Sequence, residues 1–188
     1  MIWLCGLFLW CAACGTALAQ NGRWYPENEP PPALVLKDVD GKEYDLAALK
    51  GRMVIVNFWA TWCGPCVAEM PSLQALATRL GEKNAVVLGV NYHESAQKIR
   101  EFQDRIPVRF PLLRDPWQEA SGTWKVRVLP TTFIIDANGV LRYRVVGEVD
   151  WSSKTVADRL RRMQASGSAN SATASAERRT ARASVRTS

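Results

Sequence analysis

"MVIVNFW", residues 53 to 59, is the stretch that most narrows what this chain can fold into. Apolar side chains fall on consecutive positions and only Asn57 interrupts them, so the strand they form must be covered on both faces. Strands covered on both faces belong to sheets with helices above and below, an α/β arrangement. The next segment, "ATWCGPCVAEMPSLQALATRL", supplies the first of those helices. It is expected to begin at Cys63 and Cys66 and to run to about Leu80, before Gly81. Val67, Met70, Leu73, Ala77 and Leu80 form its inner stripe, and Pro71 predicts a kink.

The rest of the chain reads around that unit. "ALVLKDVDGKEYDLAAL" predicts two short strands joined at Asp40-Gly41. "AVVLGVNY" (85–92) is a second buried strand, and residues 95–105 a helix with Ile99 and Phe102 turned inward. Another helical stretch is expected from Pro116 to about Lys125. "TTFIID" and "VLRYRVV" flank Ala137-Asn138-Gly139, a strong hairpin signal. A last helix carries Val156, Leu160 and Met163 on one face. Ahead of all this, residues 20–32 form a proline-rich, extended lead-in. The domain proper spans 33–163, and 164–188, with almost nothing large and apolar, reads as a disordered basic tail.

Charge and cysteine placement narrow the function. Net charge is +6 over 188 residues, but the tail contributes four arginines and one glutamate, net +3. The remaining 20 basic and 17 acidic residues are too evenly mixed for a nucleic-acid surface. Three of the five cysteines, Cys5, Cys11 and Cys14, lie in "IWLCGLFLWCAAC", an apolar run with the length of a secretory core region. Ala17 and Ala19 make an A-x-A cleavage pattern, giving residues 1–19 as a signal peptide. No lysine or arginine precedes the run, so a retained anchor or lipidation at Cys14 stays open beside cleavage. On either reading the domain is exported to the periplasm or an equivalent space. Once the leader is removed, Cys63 and Cys66 are the only cysteines left.

Three roles compete for that pair. Structural zinc needs four ligands and catalytic zinc commonly three, and the chain adds a single histidine, His93, with no second cysteine pair. No metal site or other cofactor is expected. A structural staple gains little from bridging residues three apart, because the loop it closes is so short. The redox reading accounts for position as well as spacing. A strand turning into a helix aims unpaired N–H groups and the positive helix end at the first sulfur, which favours the thiolate. Pro65 fits the first turn, where its missing N–H is not needed. Cys63 is then the attacking sulfur, and Cys66, further into the helix, resolves the mixed disulfide.

With "FWATWCGPC" and "VLPTTFIID" side by side, the chain resembles the thioredoxin-fold oxidoreductases. The hairpin, "WCGPCVAEMPSL", "GVNYHES" with about twenty residues inserted after it, and "LPTTFIIDANGVLRYRVVGEVD" resemble the exported TlpA, ResA and CcmG/DsbE group over roughly residues 33–163. The resemblance implies a mixed central sheet flanked by helices, with an N-terminal β-hairpin and a helical insertion after the third strand. It implies a reductant of protein disulfides, of the cytochrome c maturation or copper-site assembly type. Its electrons would come from a membrane thiol transporter of the DsbD/CcdA kind, and the protein is expected to be monomeric. It also implies a cis peptide before Pro130, with Leu129 across from Cys63 offering its backbone to an extended substrate. Trp62, Gly64 and Pro65 complete the substrate rim, while Trp59 belongs to the core and His93 to the surface.

Two positions depart from the pattern. Where thioredoxin has a buried aspartate six residues before its first cysteine, this chain has Asn57. Glu94, after "GVNYH", is the candidate acid in its place, and a solvated loop carboxylate is the competing reading. The CcmG branch has an acid after its cis-proline where this chain has Thr131. Glu69 reads as a helix-surface carboxylate. Two other activities on the same fold fit less well: copper chaperones space their cysteines more widely, and no T-x-x-C motif of a peroxidase is present. A thiol oxidase differs only in direction.

Overall fold

The computed structural model of this chain describes residues 22–164. The expected leader and the tail beyond Gln164 lie outside the described residues. Eight strands and four helices follow in the order β1 Arg23–Glu29, β2 Val35–Lys37, β3 Glu43–Asp45, β4 Met53–Trp59, α1 Gly64–Leu80, β5 Ala85–Tyr92, α2 Ala96–Arg105, β6 Leu112–Asp115, α3 Glu119–Thr123, β7 Thr131–Ile135 and β8 Leu141–Val146. The closing helix α4 covers 154–164. The arrangement is the expected mixed α/β fold: six strands ordered β1-β8-β7-β4-β5-β6, with β2 and β3 as a separate hairpin. β4, β5 and β6 run parallel, while β7, β8 and β1 are antiparallel to their neighbours.

β4 is buried along its whole length, as its composition requires. Its alternate residues feed two cores. Met53, Ile55 and Trp59 pack with Cys66, Met70 and Leu73 of α1, while Val54, Val56 and Phe58 pack with Leu88, Val90 and Phe133. Asn57 falls on the α1 side by the same alternation. The buried stripe of α1 is Cys66, Glu69, Met70, Leu73 and Leu76. Glu69 and Leu76 therefore belong inside, and Val67, Ala77 and Leu80 only border the core. Pro71 lies within α1 on its exposed side.

Two strands go beyond the expected elements. The lead-in is extended as expected, but residues 23–29 also pair with β8 and form one edge of the sheet. β6 pairs in parallel with β5 and forms the other edge. The helix expected over 116–125 contracts to Glu119–Thr123, because Asp115 accepts hydrogen bonds from the N–H groups of Ala120 and Ser121 and caps a single short turn.

Candidate active site

The chain leaves β4 at Trp59 and turns through Ala60–Trp62 before Cys63 caps α1. Cys63 has extended backbone at φ −87°, ψ 101°, and its Sγ accepts the Cys66 N–H at 3.3 Å. Pro65 occupies the first turn, as its missing N–H allows. Cys63 and Cys66 are joined in a disulfide, with Cα atoms 5.2 Å apart. The two sulfurs are not equivalent. Cys63 keeps 7% exposure at the end of the helix, whereas Cys66 is fully buried. An incoming sulfur can meet only the first.

A groove of about 380 Å³ opens beside Cys63, lined by Trp62, Pro65, Tyr92 and residues 126–129. Trp62 stands 65% exposed, and Trp59 is fully buried. The Leu129–Pro130 peptide is cis. Pro130 is fixed from behind by the Gly147 N–H on its carbonyl, at 2.9 Å. Among the described residues the backbone N–H and C=O of Leu129 enter no backbone hydrogen bond, so this stretch can receive an extended chain as an added strand. Gly64 is exposed, and a methyl group on it would meet nothing within 4 Å.

Behind the disulfide, the acid–base groups are not arranged as the sequence reading has them. Glu94 is buried, at 7% exposure. One carboxylate oxygen accepts the Thr61 N–H at 2.7 Å and the Asn91 amide at 2.8 Å, and the other accepts the Thr61 hydroxyl at 2.5 Å. It ties the end of β5 to the turn that delivers Trp62 and Cys63. Glu69 is no surface carboxylate: it is 2% exposed. Asn57 donates both amide protons, to Glu69 at 2.7 Å and to Thr132 at 2.9 Å. The second Glu69 oxygen accepts the Val149 N–H at 3.0 Å and the Trp151 indole at 3.1 Å. Burial raises its pKa from 4.5 to about 7, against the opposing effect of those three hydrogen bonds, and the nearby Glu148 adds to the rise. Three positions after Cys66 on the same buried face, Glu69 is an acid poised near neutrality. Among the described residues no three His, Cys, Asp or Glu side chains converge as metal ligands would, and His93 is exposed with its Nδ1 2.6 Å from the Pro116 carbonyl.

Comparison with known proteins agrees with this geometry. The AhpC/TSA family matches residues 28–144. Thiol-disulfide oxidoreductase ResA of a Bacillus cereus strain is 32% identical over 148 residues, 76% of this chain and 84% of that protein. This chain belongs to the AhpC/TSA family, among its ResA-like thiol–disulfide oxidoreductases. Solved structures extend the likeness to the fold. A thiol:disulfide interchange protein of Chlorobium tepidum TLS superposes with a TM-score of 0.64 at 27% identity, over 74% of this chain and 98% of that one. The exposed lipoprotein thioredoxin of Streptococcus pneumoniae gives 0.58 at 30%, over 67% and 98%. The chain is thus a ResA-like thiol–disulfide oxidoreductase, and Cys63 and Cys66 form its C-x-x-C disulfide. The feature that sequence reasoning missed is Glu69, although its spacing from Cys66, Leu73 and Leu76 marks the inner face of α1.

Proposed function

We propose that this protein is an exported reductant of protein disulfides, and that Glu69 serves the resolving thiol. The asymmetry of the pair carries this reading: Cys63 at the groove, Cys66 buried on the face that also holds Glu69. In the reduced protein the Cys63 thiolate attacks one sulfur of a substrate disulfide, and the other substrate sulfur leaves as a thiolate. Cys66 then loses its proton to Glu69 and attacks Cys63 Sγ, expelling the second substrate thiolate. Two electrons pass to the substrate and the Cys63–Cys66 disulfide remains. Glu69 suits the proton transfer better, because it shares the buried face of α1 with Cys66 and burial readies it to take a proton near neutrality, whereas Glu94 ties Thr61 to Asn91. Glu94 holds the turn before Cys63 in place.

Trp62, Gly64, Pro65, Leu129 and Pro130 frame the substrate segment. The Gly-Pro pair between the cysteines favours the reducing direction, which in an oxidising compartment calls for a membrane thiol transporter of the DsbD/CcdA kind as donor. Apocytochrome c and copper-site assembly proteins are the substrate classes that fit the resemblance, and the protein works as a monomer. Among the described residues no helix is long and apolar enough to cross a membrane. The test is a trap combined with a potential. Cys66→Ala should hold substrates disulfide-linked to Cys63 in the exported compartment. The wild-type potential should lie near the roughly −270 mV of thioredoxin. A value near the roughly −120 mV of DsbA would make the protein an oxidase instead.

A further inference from the structure

The groove beside Cys63 carries charge at one point only. Trp62, Pro65, Tyr92, Val128 and Leu129 supply its surface, and Arg127 is its single charged side chain. Arg127 is exposed and takes part in none of the ion pairs of the described residues. The carboxylates on neighbouring elements do not answer it. Glu94 is committed to Thr61 and Asn91, and Asp115 to the backbone and hydroxyl of α3. The loops next to the groove are also held in shape. His93, Gln118 and Lys125 all adopt left-handed backbone, at φ 56°, 60° and 54°. Non-glycine residues take up that conformation only where their surroundings enforce it. The Tyr92 hydroxyl donates to Gln118 at 2.7 Å, joining two of these loops beside the groove.

Resting on the reductase reading above, we propose that Arg127 is a specificity-determining residue, selecting extended substrate segments that carry an aspartate or glutamate beside the disulfide-bonded cysteine. A segment laid along Leu129 with its cysteine at Cys63 puts its flanking side chains within the charge field of Arg127. Apolar flanks find Trp62 and Val128, which are 65% and 54% exposed. A flanking carboxylate finds a guanidinium that no carboxylate of the described residues pairs with, suited to bidentate pairing. At an exposed rim such a charge acts mainly on the rate of encounter, and salt screens it.

The experiment uses the full chain, reduced, and three peptides identical except for aspartate, serine or lysine on both sides of a single cysteine. That cysteine is held as a mixed disulfide with uncharged mercaptoethanol. Cys63 takes the peptide sulfur and mercaptoethanol leaves as its thiolate; Cys66 then frees the peptide thiol. Flanking charge alters disulfide reactivity on its own, but equally for every variant, so comparison across variants isolates the side chain. The wild type should favour aspartate over lysine roughly three- to fivefold more than Arg127→Ala does, the scale of one exposed charge pair. Raising salt should shrink that margin. Arg127→Lys should retain part of it, and Arg127→Glu should reverse it. A ratio identical in the wild type and Arg127→Ala, or unmoved by Arg127→Glu, overturns the assignment. A wild-type protein that reduces none of the peptides overturns the reductase reading itself, and the assignment with it.

Discussion

Glu69 is 2% exposed yet accepts hydrogen bonds from Asn57, Val149 and Trp151, and burial still lifts its pKa to about 7. A proton bound there has a measurable effect on stability. The unfolded glutamate ionises near 4.5, so between 4.5 and about 7 the folded protein keeps a proton that the unfolded chain has released. Its contribution is complete below 4.5 and fades as pH rises to about 7, levelling off beyond. The full span corresponds to roughly 3 kcal/mol. Denaturant titrations of wild type and Glu69→Gln across this range should diverge by up to that amount, with the wild type losing ground as pH rises. Parallel curves would place the proton elsewhere. The same substitution should slow release of a mixed disulfide at Cys63 about tenfold or more, since a positioned base contributes at least that much. The pairing of Cys63 with Cys66 at a helix start was legible from spacing alone, and the exposed Trp62 and the cis peptide before Pro130 from the resemblance. Glu69 was not, because carboxylates are so seldom buried that residue type outweighed its place on the inner stripe.

Elements were legible in proportion to their length and periodicity. β4, β5 and α2 follow their patterns closely, and Asp40-Gly41 and Asn138-Gly139 mark turns that form where expected. β6 has only four residues and no alternation, and β1 carries Pro26, which suits an edge and hides a strand. Neither has a local signal, because each is defined by the neighbour it pairs with. Gly89 shows how tightly side chains of the neighbouring strands close over β5. A methyl group there would lie 2.7 Å from Leu112 Cδ2, 3.1 Å from Phe110 Cε2 and 3.2 Å from Trp59 Nε1. Leu112 and Trp59 are almost wholly buried, so there is little room to yield. Gly89→Ala should cost about 1–3 kcal/mol in equilibrium unfolding, as overpacking does. A neutral result would mean that the layer over β5 is looser than these distances require.

At the scale of the whole molecule, the first and last described elements brace one another. Trp24 of β1 meets Tyr143 edge-on at 5.5 Å and Trp151 at 6.0 Å, and the Arg159 guanidinium of α4 lies 4.5 Å above its ring. The expected start of the domain at residue 33 leaves this contact out, since a proline-rich segment gives no hint of a partner more than a hundred residues away. Trp24→Ala should lower stability by about 2–4 kcal/mol, read as a shift in the urea midpoint at unchanged slope. A shift below about 0.5 kcal/mol, the range of ordinary surface substitutions, would make β1 an ornament on the sheet. The register of β1 has a consequence for reach as well. Arg23 lies opposite Val146, Val146 opposite Thr131, and Thr131 opposite Phe58. The described chain thus enters at the end of the sheet where Cys63 sits, three strand spacings or roughly 14 Å from Phe58. A tether joined to β1 at Arg23 would turn this end of the sheet, with its disulfide, toward whatever holds the other end.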